Sequence, residues 1–171
     1  RHPHLKRHAV FHGPKWRGIP VPVLRDLLSR LDLTLPHDLP LELRAVHAPH
    51  HRRGLPRWLA ISDELLVLLG LMLAEGHCTG SCVLFSAHDD RVRAEFVRCA
   101  TVLGFTVGVR QNSDLQVSSK LWEALLSRLV GSRSGDKHLP GFWPSLSRRQ
   151  LSVLLRAYAE GDGGVDGESV S

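Results

Sequence analysis

No apolar run in this chain is long enough to cross a bilayer. The longest, Leu65 to Ala74, is ten residues held between Glu64 and Glu75, whereas a spanning helix needs roughly 18 or more. No membrane partner is therefore expected. Cysteine is scarce too: three in 171 residues, an odd number in a chain too long to need disulfide staples, which points to a reducing compartment and a cytoplasmic location. Residues 1–12 are basic and His-rich and contain no apolar stretch of the secretory type. What is present suffices for a core. Hydrophobic residues make up 43% and charged residues 23%, which excludes compositional disorder. The length fits one ordinary domain, or one with a small appendage. The formal charge is +5 and the isoelectric point near 9.6.

That charge is unevenly placed. Residues 1–58 hold 11 Lys/Arg against 4 Asp/Glu, with 8 of the 10 Pro and 8 of the 11 His. Pro fixes φ and removes a backbone donor, so this stretch reads as a Pro/His-rich basic arm, mostly loops. One short helix is expected in it. Pro22 suits a first helical position, and Leu24, Leu27, Leu28 and Leu31 follow at helical spacing. His47, His50 and His51 stand beside Arg52 and Arg53 in a basic loop, either solvated or facing phosphates rather than holding a metal.

From residue 59 onward the pattern is regular. Ser62 can cap a helix reaching Glu75, with Asp63 and Glu64 in its first turn. Gly76 ends it, and two extended pieces follow near His77–Thr79 and Ser81–Ser86. Ser86 and Asp89 form an S-x-x-D start for a second helix, whose Val92, Phe96, Ala100 and Leu103 share a face. Strands are expected over Phe105–Arg110 and Asp114–Ser118, around a Gln111-Asn112-Ser113 hairpin tip. Their alternation puts Phe105, Val107, Val109, Leu115 and Val117 on the core side. A third helix follows near Ser119–Val130, and a Ser147–Gln150 capping box opens a fourth.

Two of these helices end alike: Leu68-Leu-Gly-Leu-Met-Leu-Ala-Glu-Gly76 and Leu155-Arg-Ala-Tyr-Ala-Glu-Gly-Asp-Gly163. Gly70 and Ala74 lie four apart on the first, Ala157 and Gly161 on the second. Small residues at that spacing let helix backbones approach closely. Each segment then ends in an acidic residue followed by Gly. A carboxylate at a helix C-terminus faces the negative end of the macrodipole, at a cost of about 0.3–1 kcal/mol, and two brought together also repel. A divalent cation compensates for that arrangement. Hard ions such as Mg²⁺ bind through one or two carboxylates plus phosphate oxygens.

Over residues 56–166 the chain resembles the LAGLIDADG homing endonucleases, particularly the dodecapeptide, double-motif kind found in inteins. Leu68–Gly76 and Leu155–Gly163 each align with the nonapeptide, and Lys137-His-Leu-Pro140 is similar to the K-x-x-P segment before the second motif. The resemblance implies an α+β fold: one αββαββα half-domain (59–146), then the second motif helix (147–171), preceded by the basic arm (1–58). It implies metal-dependent, site-specific cleavage of double-stranded DNA. Glu75 and Asp162 would hold Mg²⁺, and Lys137 would stabilise charge near the scissile phosphate. The strands would lie in the major groove, with Thr106, Arg110, Gln116 and Ser118 toward DNA and Gln111 and Asn112 at the hairpin tip. Arg52 and Arg53 would contact phosphates.

The match departs from the family pattern in two places. Glu75 stands where Asp is usual, one methylene longer. Only eight residues follow Gly163, so the resemblance implies a piece truncated within its second half-domain, with self-association as a further partner expectation. No splicing blocks are recognisable. The competing reading is a catalytically inactive DNA- or RNA-binding module of the same fold, a regulator or maturase-like protein. Other features read plainly. His77, Cys78, Cys82 and Cys99 are off the usual zinc spacing, Arg91, Arg93 and Arg98 form a solvated face, and the four Trp are packing residues.

Overall fold

A computed structural model of the chain describes residues 21–37, 42–43, 55–56 and 58–163. The chain forms two compact units, Arg1–Pro40 and Leu41–Ser171. In the first, α1 spans Val21–Arg30, with Pro22 one residue inside its start. The expected apolar stripe is only partly used. Val23 is buried while Leu27 and Leu31 are exposed. An Asp26–Arg30 ion pair one turn apart, at 3.0 Å, braces the last turn.

The second unit is mixed α+β. A short strand β1 (Glu42–Leu43) pairs antiparallel with β2 (Leu55–Pro56). This corrects the expectation of loops only in that stretch. Leu55 is buried in the main core, and that burial fixes a strand where proline content argued against one. Then come α2 (Asp63–Glu75), β3 (Gly76–Cys78), β4 (Val83–Phe85), α3 (Asp90–Val102), β5 (Val107–Val109), β6 (Leu115–Val117), α4 (Lys120–Val130) and α5 (Arg148–Gly161). Strands β3 to β6 make one antiparallel sheet in the order β3-β4-β6-β5. Among the described residues no helix is long and apolar enough to cross a membrane.

The caps are those that the sequence indicates. The Ser62 hydroxyl accepts from the Leu65 amide at 3.3 Å, and Ser119 accepts from Trp122 at 3.4 Å. Ser147 and Gln150 form a reciprocal box at 3.3 and 3.1 Å. One cap differs. Asp89, not Ser86, opens α3, accepting from the Arg91 amide at 2.7 Å. The Ser86 hydroxyl instead acts on the Asp114 carboxylate and is the first cause of its lowered pKa. An ionised carboxylate is the stronger acceptor for the helix amides.

Helix α2 is the centre of the core. Leu66 and Leu69 are fully buried on it, among Phe85, Phe96, Trp122, Leu126 and Leu154. Phe85 and Phe96 stack at 4.4 Å, and Phe105 meets Trp122 edge-on at 4.4 Å. Leu115 and Val117 face inward as expected, but Val109 is 70% exposed. It ends an edge strand beside the hairpin turn, where strict alternation runs past the layer that covers the sheet. Trp58 and Trp143 are also largely exposed, so only Trp122 among the described Trp is fully a packing residue.

Candidate functional site

Helices α2 and α5 share the most extensive contact of any two elements, and the small residues explain it. A Cβ added to Gly70 would press on the Leu154 carbonyl and come 2.8 Å from Ala157 Cβ and 2.9 Å from the Tyr158 nitrogen. One added to Gly161 would come 2.6 Å from Ala74 Cβ. The backbones are thus in direct contact along the expected face. At the helix starts, Arg149 forks onto Asp63 at 2.7 and 2.8 Å. Gly70 against Ala157 and Ala74 against Gly161 keep one offset, and Asp63 against Arg149 falls within one residue of it. The helices therefore run parallel, residue for residue.

That register makes Glu75 and Asp162 equivalent positions at the same end of the pair. Glu75 is the last residue of α2 and half-buried. Asp162 is exposed and caps α5, its amide donating to the Tyr158 carbonyl at 3.0 Å. Lys137 comes to this end from the loop after α4. Its Nζ donates to the Ala74 carbonyl at 3.1 Å, one of the unpaired carbonyls that a helix C-terminus leaves. Burial pushes the Lys137 ammonium below the ordinary lysine range, and the charges of Glu75, Asp136 and Asp162 act against that shift. One half-buried cation therefore sits in the field of both helix-end carboxylates.

The loop that delivers Lys137 is tightly held by its own backbone contacts. Gly131 has φ 87°, in the left-handed region, and a Cβ there would collide with the Asp136 carbonyl and approach Lys137 Cα to 2.9 Å. The Asp136 carboxylate accepts from the Ser132 amide at 3.1 Å and from the Arg133 amide at 2.5 Å. Those amides hold it below the usual carboxylate range. Pro140 is fully buried and anchors the far side. Asp136 was not singled out by the sequence. An acidic residue that tightens a Gly/Ser turn onto backbone amides leaves no periodic trace.

Two carboxylates fit an ion that completes its shell with water and phosphate oxygens, as Mg²⁺ does. No group of three or more His, Cys, Asp or Glu gathers among the described residues, so an all-protein cage of the zinc type is not what this end offers. Cys78, Cys82 and Cys99 are free thiols. Burial raises the Cys78 pKa to about 11 and the Cys99 pKa to about 12, which keeps both protonated and poor as metal ligands.

The other named side chains lie on and beside the sheet. Thr106, Arg110, Gln111, Asn112 and Ser118 are exposed and Gln116 is half-buried. Gln116 donates to the Ser118 hydroxyl at 2.7 Å, and Asn112 to the Asp114 carboxylate at 2.6 Å. Cross-strand register sets His77, Leu84, Gln116 and Gly108 in one row. Arg93 is a correction: not merely solvated, it donates to the Ala87 carbonyl at 3.1 Å and the Ser113 carbonyl at 2.8 Å. It braces the hairpin tip, where Ser113 takes φ 69°. Arg98 pairs with Glu95 at 2.7 Å and reaches Glu64 at 3.7 Å. Arg52, Arg53, His47, His50 and His51 lie outside the described residues. No protein-family model matches the chain, and no curated protein sequence matches it.

Proposed function

We propose that this chain is a homing-endonuclease module of the LAGLIDADG type, which binds double-stranded DNA and hydrolyses its phosphodiesters with a divalent metal. One observation carries the reading: Glu75 and Asp162 occupy equivalent ends of two parallel helices in backbone contact, with Lys137 in the field of both. A core gains nothing from two acidic helix ends set side by side. A phosphodiester substrate makes sense of all three groups. Glu75 and Asp162 would hold Mg²⁺, which when bound supplies Lewis-acid polarisation and a more acidic water. Lys137, fixed by its bond to the Ala74 carbonyl, offers a proton donor and a positive charge toward a phosphate oxygen. The element order α2-β3-β4-α3-β5-β6-α4-α5 supports a reading as one half-domain plus a second motif helix. Its sheet presents Thr106, Arg110, Gln116 and Ser118 beside an exposed Gln111-Asn112 tip, a polar set suited to base edges.

The test is nicking of a supercoiled plasmid library carrying randomised inserts, with Mg²⁺ or with chelator. The expected result is Mg²⁺-dependent nicking at a restricted set of inserts, abolished by Glu75→Gln or Asp162→Asn with DNA binding retained or tightened. Removing a negative charge beside a polyanion gives that sign. Selective binding without nicking would replace cleavage by the catalytically inactive module. Absence of duplex binding in low salt would end both readings.

A further inference from the structure

Helix α4 ends at Val130, which leaves carbonyls in its last turn that no further helical amide can reach. Two of them go to one residue. The His138 amide donates to the Val130 carbonyl at 3.3 Å, and the His138 ring Nε2 lies 3.4 Å from the Arg128 carbonyl. The other ring nitrogen, Nδ1, lies 2.9 Å from the Asp136 carbonyl, at the end of a 3₁₀ turn over Ser134–Asp136. His138 thus ties the end of α4 to the turn immediately before Lys137.

Both ring contacts are to carbonyl oxygens, which only accept. A neutral imidazole has one N–H and can satisfy one of them, whereas the imidazolium has two and satisfies both. Charge strengthens the same clip twice more. A cation suits the negative C-terminal end of a helix. After the Arg133 and Ser132 amides, the ring's charge is a further cause that holds the Asp136 carboxylate below its usual range. The cations nearby in the chain, Arg128, Arg133 and Lys137, act the other way. Arg128 and Arg133 are exposed and screened, and Lys137 directs its ammonium to the Ala74 carbonyl at 3.1 Å.

We propose that His138 is a positioning residue for Lys137. As imidazolium it clips the 131–138 loop to the end of α4, and loss of its proton frees one end of the clip and loosens the hold on Lys137. The inference rests on the nuclease reading only for the use to which Lys137 is put. His138 is itself exposed, so its replacement leaves the core intact.

Amide hydrogen exchange of the full chain, without DNA or metal, tests the clip between about pH 5 and 8, while the ring protons of His138 report its titration. Protection, corrected for the intrinsic pH dependence of exchange, is read at the Ser132 amide, which donates to the Asp136 carboxylate at 3.1 Å, and at the amide of residue 138. The Leu151 amide, bonded to the Ser147 carbonyl at 2.9 Å, is the reference. As His138 loses its proton, protection at both sites should fall about two- to fivefold relative to Leu151, the range for a screened cation at a helix C-terminus. His138→Ala should give the low protection at every pH. His138→Arg, a permanent cation with several N–H donors, should give the high one throughout. A residue that only filled space would show neither the pH dependence nor the rescue by Arg. Where Mg²⁺-dependent nicking is found, the wild-type rate divided by the His138→Arg rate should fall over the same interval. Protection that ignores the His138 titration, or an Arg variant that follows the wild-type curve, overturns the clip. A clip that titrates beside a constant rate ratio overturns the positioning role. Failure to nick bears on the nuclease reading alone, because the exchange measurement needs neither DNA nor metal.

Discussion

Helices α2 and α5 carry the same small-residue face and the same acidic end, yet they live in different surroundings. Helix α2 is apolar all round and packed on every side, with Leu65, Leu66, Leu68, Leu69, Leu71 and Met72 buried. Helix α5 buries only Leu154 and Ala157. The motif itself is therefore independent of burial. It specifies how closely two helices approach and where their ends meet, whereas the remaining faces follow from whatever each helix has beside it. One is a core helix that happens to end in a carboxylate. The other is an amphipathic helix docked along a single stripe.

The strongest way to break that contrast is to truncate register-equivalent leucines. Leu68 is 3% exposed and lies among Val83, Ala100, Phe105, Val117 and Trp122. Leu68→Ala should cost about 2–5 kcal/mol by urea unfolding, from lost burial plus a cavity. Leu155→Ala, at the equivalent position, should cost less than about 0.5 kcal/mol in dilute protein. Equal losses would mean that α5 is covered as fully as α2.

The contact between the helices is the next target. Gly70→Ala gains about 1 kcal/mol of helix propensity, but the new methyl meets two backbone atoms of α5 and the Ala157 Cβ, and overpacking of this kind costs about 1–3 kcal/mol. The net should run from near neutral to destabilising by roughly 2 kcal/mol, the difference of those terms. Ala157→Leu should cost about 1–3 kcal/mol by the same crowding. Gly161→Ala should be milder, near neutral to about 1 kcal/mol, because Gly161 ends its helix and can splay away from Ala74. If Gly161→Ala proves the worse of the two glycine variants, the helices touch most closely at the acidic end rather than at mid-length.

These local features were legible in the sequence for a definite reason. Caps such as Ser62 and Ser147–Gln150, and the pairing of Gly70 with Ala157, depend on spacing within one helix or on matched spacing in two. Strand β6 was legible because both its neighbours hold it flat, so Leu115 and Val117 obey period two. Val109 did not, since the edge strand has one neighbour and runs beyond its cover. The roles of Arg93, Arg98 and Asp136 depend on groups brought near by folding: the Ser113 carbonyl, Glu64 and the Ser132 amide. A charge on an exposed helix face looks the same in sequence whether it is solvated or bridges two elements. The pairing of β1 with β2 was hidden likewise, because Pro56 is tolerated at a sheet edge that composition alone does not reveal.

Lys137 sharpens the comparison at the shared end of the helices. Its burial lowers its pKa from 10.5, against the carboxylates that face it. Followed by the ¹³Cε shift, Lys137 should titrate below the ordinary lysine value. Because the folded state releases this proton first, the unfolded chain holds more protons over that interval. Stability from this group therefore rises with pH between the folded and unfolded pKa values. Asp162→Asn and Glu75→Gln each remove a charge that favours the ammonium, so each should lower the Lys137 pKa further. A Lys137 that ignores both substitutions does not share a site with those carboxylates.

The smallest expected effect lies at the opposite end, where Arg149 ties the start of α5 to Asp63 at the start of α2. The guanidinium hydrogen bonds hold the Asp63 carboxyl below its ordinary value of 3.8. A depressed folded pKa means that the contribution is complete above the unfolded pKa and disappears as pH falls through the folded one. Above that range the pair adds little, being largely exposed and screened by salt. Stability of wild type and Asp63→Asn measured by urea unfolding should thus differ only slightly at neutral pH. The difference should shrink as pH drops below about 4, where the unfolded carboxyl begins to protonate. It should shrink also in about 1 M salt, where the screening length is about 3 Å. A difference that grew in acid would give the Asp63 shift the wrong sign. A large, salt-resistant one would mean that the parallel register of α2 and α5 is set at this end as much as by Gly70.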